Sequence, residues 1–157
     1  MVKLAIQVKF QNEKVTKFSA GNQEDFRWHV KLEANGTETD KFVYISQDNE
    51  IEISGSKNTA HHVQKINGKE VNVTILEVKS LPDSCVEADF SEFRTLAVFE
   101  CRGCTISDFF PSDGWVVKSE DGTEFEDVDM TDEWYDVDNS GESVSITEFE
   151  FQIVKVK

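Results

Sequence analysis

Apolar side chains recur at every second position along most of this chain, and that period constrains the fold more than any other feature. Leu4, Ile6, Val8 and Phe10 fall on one face, with Lys3, Gln7 and Lys9 on the other. Phe26, Trp28, Val30 and Leu32 repeat the pattern against Arg27, His29, Lys31 and Glu33, and Val71, Val73 and Ile75 do so again. A period of two suits a pleated strand with one buried face and does not suit a helix, whose period is about 3.6 residues. One helical turn, within 83–92, is the only departure expected. Near the end the parity switches: Val144 and Ile146 are even-numbered, whereas Phe149, Phe151 and Ile153 are odd. Such a switch predicts a bulge around Thr147-Glu148, or a strand leaving one sheet for another. Asn35-Gly36 and Asn67-Gly68 lie between such runs. Asn and Gly best tolerate the two positive φ angles of a type I′ turn, so each marks a tight hairpin. The expected fold is all-β, with mainly antiparallel sheets in a sandwich or barrel-like arrangement.

The two halves resemble each other. A shift of 67 residues lays residues 24–36 on residues 91–103, matching Phe26 with Phe93, Arg27 with Arg94, Glu33 with Glu100 and Gly36 with Gly103. The turn at Asn67-Gly68 corresponds loosely to Asn139-Ser140-Gly141. We expect a single domain, residues 1–157, built from two β units of about 1–80 and 81–157 related by a pseudo-twofold.

Composition removes several classes of function. At 157 residues with 38% hydrophobic content, 12 Phe and 3 Trp, the chain can bury a core, so wholesale disorder is excluded. No apolar run is long enough to span a bilayer as a helix, and the N-terminus reads as a strand rather than a signal peptide. Three cysteines without an export signal fit reduced thiols in the cytoplasm, or also the nucleus. The net charge is −15, and it is lopsided. Residues 1–80 hold 11 acidic and 11 basic side chains; residues 81–157 hold 20 and 5. From Glu120 to Glu142 there are eleven acids and no Lys or Arg. That stretch repels phosphate backbones and anionic lipid, which argues against nucleic acid and membrane surfaces as partners and leaves a protein partner.

Several segments follow in a specific order: EDFRW (24–28), VQK (63–65), FECRG (99–103), Phe109, Pro111, Gly114-Trp115, Gly122, Phe125 and ESVSI (142–146). This series resembles the eukaryotic CXXC-motif-containing zinc-binding protein family, over the whole chain. The resemblance implies a soluble, mainly β protein with no established catalytic activity. It also implies two Cys-x-x-Cys knuckles, one shortly after the EDFxW strand and one directly after VQK, whose four thiolates would hold a closed tetrahedral zinc. Here those positions read Ala34-Asn35-Gly36 and Ile66-Asn67-Gly68, and all four cysteines are absent. The expectation is that no zinc is bound at Ala34, Asn35, Gly36, Ile66, Asn67 or Gly68, and that no cofactor is needed.

Other chemistry is sparse. Cys101-Arg102-Gly103-Cys104 is the one Cys-x-x-Cys, and Cys101 matches the family's FxCRG segment. A metal site there needs further ligands, from Cys85 or from the adjacent His61-His62, whose side chains on a strand would face opposite ways. Buried idle thiols, metal handling and redox use are the three readings of the pair; strand parity with Phe99 favours burial. Asp136 to Gly141 imitates the opening of a calcium loop, but position twelve is Thr147 and the flanks read as strand, so a hairpin turn is the simpler reading. Trp134 and Tyr135, beside Asp136 and Asp138, would make a partner-binding anchor if exposed. No signature of an enzyme occurs. The function expected is therefore non-catalytic: a monomeric β protein that binds another protein through its acidic second half. Metal handling by Cys101 and Cys104 is the alternative.

Overall fold

The computed structural model describes residues 1–20, 24–81 and 90–157. The helical turn expected in 83–92 falls mostly outside these, as does Cys85; residues 90–92 are not helical. The first part of the chain supplies β1 (Val2–Glu13), β2 (Val15–Ser19), β3 (Trp28–Ala34), β4 (Thr37–Glu38) and β5 (Val43–Ile45). Then come β6 (Ile51–Glu52), β7 (Thr59–Ala60), β8 (His62–Ile66) and β9 (Lys69–Val78). The remainder supplies β10 (Arg94–Arg102), β11 (Thr105–Phe110), β12 (Trp115–Ser119), β13 (Glu124–Val128), β14 (Trp134–Val137) and β15 (Ser143–Val156). Every pairing between these strands is antiparallel. The all-β expectation holds, and no helix of the described residues is long and apolar enough to cross a membrane.

The largest sheet has the order β14-β15-β1-β10-β9-β8. Facing its buried side are two smaller sheets, β11-β3-β4 with β5 also on β3, and β13-β12-β2; β6 and β7 form a separate pair. Apart from β5, β6 and β7, the pairing scheme maps onto itself when β1, β2, β3, β4, β8 and β9 exchange with β10, β11, β12, β13, β14 and β15 in turn. Under that exchange the β11·β3 pair becomes β2·β12, and the hairpin β8·β9 becomes β14·β15. The shift of 67 residues is not the correspondence this topology uses. It lays β3 on β10, which belong to different sheets. The topological partner of β3 is β12, so Trp28, the first residue of one, answers Trp115, the first residue of the other.

Local chemistry explains the elements. Asn35 and Gly36 have φ of 52° and 80°, as do Asn67 and Gly68, so both dipeptides close hairpins with the two positive angles of a type I′ turn. The parity switch is a bulge. Lys9 pairs with Glu150 and Gln11 with Thr147, two residues of advance against three, and Glu148 takes up the excess at φ 51°. This re-aims the end of β15 so that Val144 and Ile146 are buried, with Phe149 packed against the core from the other parity.

The core lies between the large sheet and the two small ones, and aromatic rings hold its centre. Trp28 and Trp115 are fully buried and meet edge to face, centroids 5.6 Å apart at 82°. Trp115 also contacts Phe18 at 4.9 Å and Phe26 at 4.6 Å, while Trp28 meets Phe99 at 5.7 Å. Each half thus contributes one indole to a shared centre. The burial of such rings supplies the largest apolar areas available to a chain of this size.

Candidate functional site

The two Asn-Gly hairpins border one cavity. A depression of about 410 Å³ is lined by residues 37–41 and Val43 beyond the first turn and by Gln64, Lys65, Ile66 and Asn67 at the second. The donor set here does not fit zinc. Ala34, Ile66 and the glycines carry no ligand atom, the two asparagines offer neutral amides, and neither turn holds a thiol or an imidazole. Among the described residues no group of three or more His, Cys, Asp or Glu is placed to hold a metal ion. Each turn is closed by its own backbone geometry.

The corresponding turns of the other half are tied together by hydrogen bonds. Ser140 Oγ donates to Asp121 Oδ2 at 3.0 Å, and the Asn139 amide donates to Thr123 Oγ1 at 3.0 Å. The Thr123 amide and the Ser119 hydroxyl donate to the same Asp121 carboxylate. These donors, the Ser119 hydroxyl first, hold the Asp121 carboxyl well below the usual carboxylate range. Asp138 serves the turn as well: buried, it accepts the Ser140 and Glu142 amides at 2.9 Å each. The residues that imitate a calcium loop therefore spend their central carboxylate on the backbone of a hairpin.

That geometry corrects one expected anchor. Asp138 is not on an exposed face beside Tyr135, being buried and turned into the hairpin. Trp134 is half-buried and meets Phe125 edge to face at 5.0 Å, so it belongs to the core margin. Tyr135 and Val137 are 66% and 55% exposed, on the outermost strand of the large sheet. The Tyr135 hydroxyl donates to Glu133 at 3.0 Å, which pushes its own ionisation up. Val137 was missed in the sequence because it interrupts a run of acids without extending a pattern.

Cys101 and Cys104 line the same depression, of about 340 Å³. Cys101 is the penultimate residue of β10, between Val2 of β1 and Val73 of β9, and it is fully buried. Cys104 follows the turn made by Gly103 at φ 80°, and its thiol lies 4.0 Å from the Asn72 carbonyl oxygen. Both thiols are free and buried. The histidines do not join them. His61 Nδ1 accepts the Ile75 amide at 2.8 Å and His62 Nε2 pairs with Gln64 at 2.9 Å. Burial pushes the His61 imidazole down toward its neutral form, as that acceptor role requires.

Residues 4–154 match the family model described as CXXC motif containing zinc binding protein, eukaryotic. The CXXC motif containing zinc binding protein of Homo sapiens is 34% identical, and that of Xenopus laevis 33%, each alignment covering 99% of both chains. The crystal structure of C1orf123 superposes with a TM-score of 0.85 at 32% identity, covering 98% of this chain and 99% of that one.

Proposed function

The chain belongs to the eukaryotic CXXC motif containing zinc-binding protein family, and we propose that within it this chain is a non-catalytic protein-binding module that has dispensed with the zinc. The observation that carries the binding role is the outer strand β14. Tyr135 and Val137 stand exposed there, flanked by Asp132, Glu133 and Asp136, in a stretch with no cation. An exposed aromatic on an outermost strand supplies apolar area and unpaired backbone, and the acids select a basic protein over nucleic acid or anionic lipid. The module acts as a monomer in the cytoplasm or nucleus. A variant combining Y135A, V137S, D132N, E133Q and D136N is expected to lose most of the partners that the wild-type chain retains at physiological salt. Quantitative capture of both from the same lysate checks this, and an unchanged set of partners overturns it.

Loss of the zinc rests on the turns. Two hairpins that close through Asn-Gly geometry have no structural requirement for a metal that would tie them together. Elemental analysis of the purified chain is expected to give far less than one zinc per molecule. A chelator is expected to leave the thermal unfolding midpoint unmoved. One zinc per chain held by residues 33–38 and 66–70 overturns the reading. Metal handling by Cys101 and Cys104 finds only two ligands among the described residues, against the four of a closed zinc site.

A further inference from the structure

The sheet of β11, β3 and β5 buries one face, and its other face is a platform of rings. Trp28, Val30 and Leu32 point from β3 into the core, so His29 and Lys31 between them point outward. His29 pairs with Tyr44 of β5 on one side and with Phe110 of β11 on the other, which sets three rings in one row across the sheet. The centroids of Tyr44 and Phe110 lie 6.4 and 6.5 Å from that of His29, and Phe42 continues the surface 5.6 Å from Phe110. Tyr44 and Phe110 are 47% and 36% exposed. Arg27 lies over the Tyr44 ring at 4.8 Å and forms no ion pair among the described residues. Lys31, over Phe42 at 5.1 Å, shares Glu38 at 3.9 Å. We propose that this face binds a proline-rich segment of another protein in the polyproline II conformation, with an acidic residue of that segment on Arg27.

Backbone, spacing and charge together select that partner. Strand β3 is paired on both sides, by β11 and β5, so a ligand lying across it must bring a backbone that needs no ladder. Polyproline II meets this condition, because it has no internal hydrogen bonds and keeps its backbone solvated. Two strand separations place Tyr44 and Phe110 about 9.6 Å apart across the sheet. Residues i and i+3 of polyproline II lie on one side of the helix, about 9.3 Å apart. Prolines at that interval stack on Tyr44 and Phe110, and the residues between them pass over His29. The His29 Nδ1 atom is buried without a partner, while the Tyr44 hydroxyl and His29 Nε2 form no hydrogen bond among the described residues. The hydroxyl and the Nε2–H of a neutral His29 are therefore the donors left for carbonyls of the segment. Asp25 and Asp113 line a depression of about 280 Å³ beside Arg27 and His29, so the site accepts a single acid and repels a chain of phosphates. This face belongs to a different sheet from β14 and does not depend on the acidic edge.

The test titrates the full chain into a labelled synthetic peptide with a Pro-x-x-Pro core and glutamates at one terminus, made in both orientations, and reads fluorescence anisotropy. Saturable binding is expected for one orientation. Y44A and F110A are each expected to weaken it by about tenfold, as is replacing the core prolines of the peptide by alanine. R27E is expected to weaken the glutamate peptide and to be rescued by the same peptide with lysines in place of glutamates. The variant of β14 described above is expected to bind as the wild type does, so this proposal and the acidic-edge reading fail separately. The proposal is overturned if neither orientation binds at millimolar peptide, if Y44A and F110A bind unchanged, or if the alanine peptide binds equally well. It is also overturned if the face takes another occupant. Sedimentation showing self-association that Y44A abolishes would mean a second copy of the chain, and binding of labelled oligothymidylate in place of the peptide would mean a single-stranded nucleic acid. The comparison of proline and alanine peptides on the wild type decides the matter even if a variant fails to fold.

Discussion

Replacing Trp28 by alanine is expected to destabilise the protein by about 3–5 kcal/mol, and Trp115→Ala by a similar amount. Both indoles are fully buried, and each touches aromatic rings from other strands, so neither void can be refilled by a nearby flexible side chain. Total stability for a domain is about 5–15 kcal/mol, so either loss removes a large share of it. For a chain of this length each kcal/mol moves the midpoint by about 2–4 °C. Denaturant unfolding followed by circular dichroism measures the change without relying on the deleted fluorophore. The informative step is the double variant. Because the two rings meet edge to face, their losses should fall short of additivity by about 0.5–1.5 kcal/mol. Trp115→Phe supplies a control, since it keeps a ring but abandons the bond from Nε1 to the Pro111 carbonyl at 2.9 Å. Losses below about 1 kcal/mol for both alanine variants would show that this aromatic centre is not what joins the two halves.

The topology makes that centre visible, whereas the sequence comparison pointed elsewhere. Strands that alternate with period two match one another at many shifts, so Phe26 on Phe93 is an agreement of pattern rather than of place. What marks the correspondence in topology is a pairing between distant strands, β3 with β11 and β12 with β2, which no local pattern encodes. Where the chemistry is local, the sequence was readable. Asn-Gly demands positive φ at both residues, and the change from Ile146 to Phe149 cannot occur in a regular strand without an extra residue. The short strands β4, β6 and β7 were not legible, because two residues carry no period and five of their six side chains are exposed. The clasp of Asp121, Thr123 and Ser140 was hidden for a related reason. Its residues are ordinary turn formers, and only the approach of two separate turns makes them a unit.

The turn between Cys101 and Cys104 depends on one backbone position, and Gly103→Ala is the variant that exposes it. At φ 80° an alanine is strained wherever it is placed, at about 1–2 kcal/mol. Gly36 shares that angle, but a Cβ there would meet nothing within 4 Å, so Gly36→Ala isolates the backbone cost. At Gly103 the new Cβ would lie 3.1 Å from Val71 Cγ1 and 3.7 Å from the Glu70 carbonyl oxygen. Val71 is fully buried on β9, next to the strand that carries Cys101, and has little room to withdraw. Overpacking of this kind adds about 1–3 kcal/mol, so Gly103→Ala is expected to cost distinctly more than Gly36→Ala in the same denaturant series. Relief of the clash must move the turn that carries Cys104 away from β9, where the Cys104 thiol lies 4.0 Å from the Asn72 carbonyl oxygen. Equal costs at the two glycines would mean that the turn at Gly103 adjusts freely.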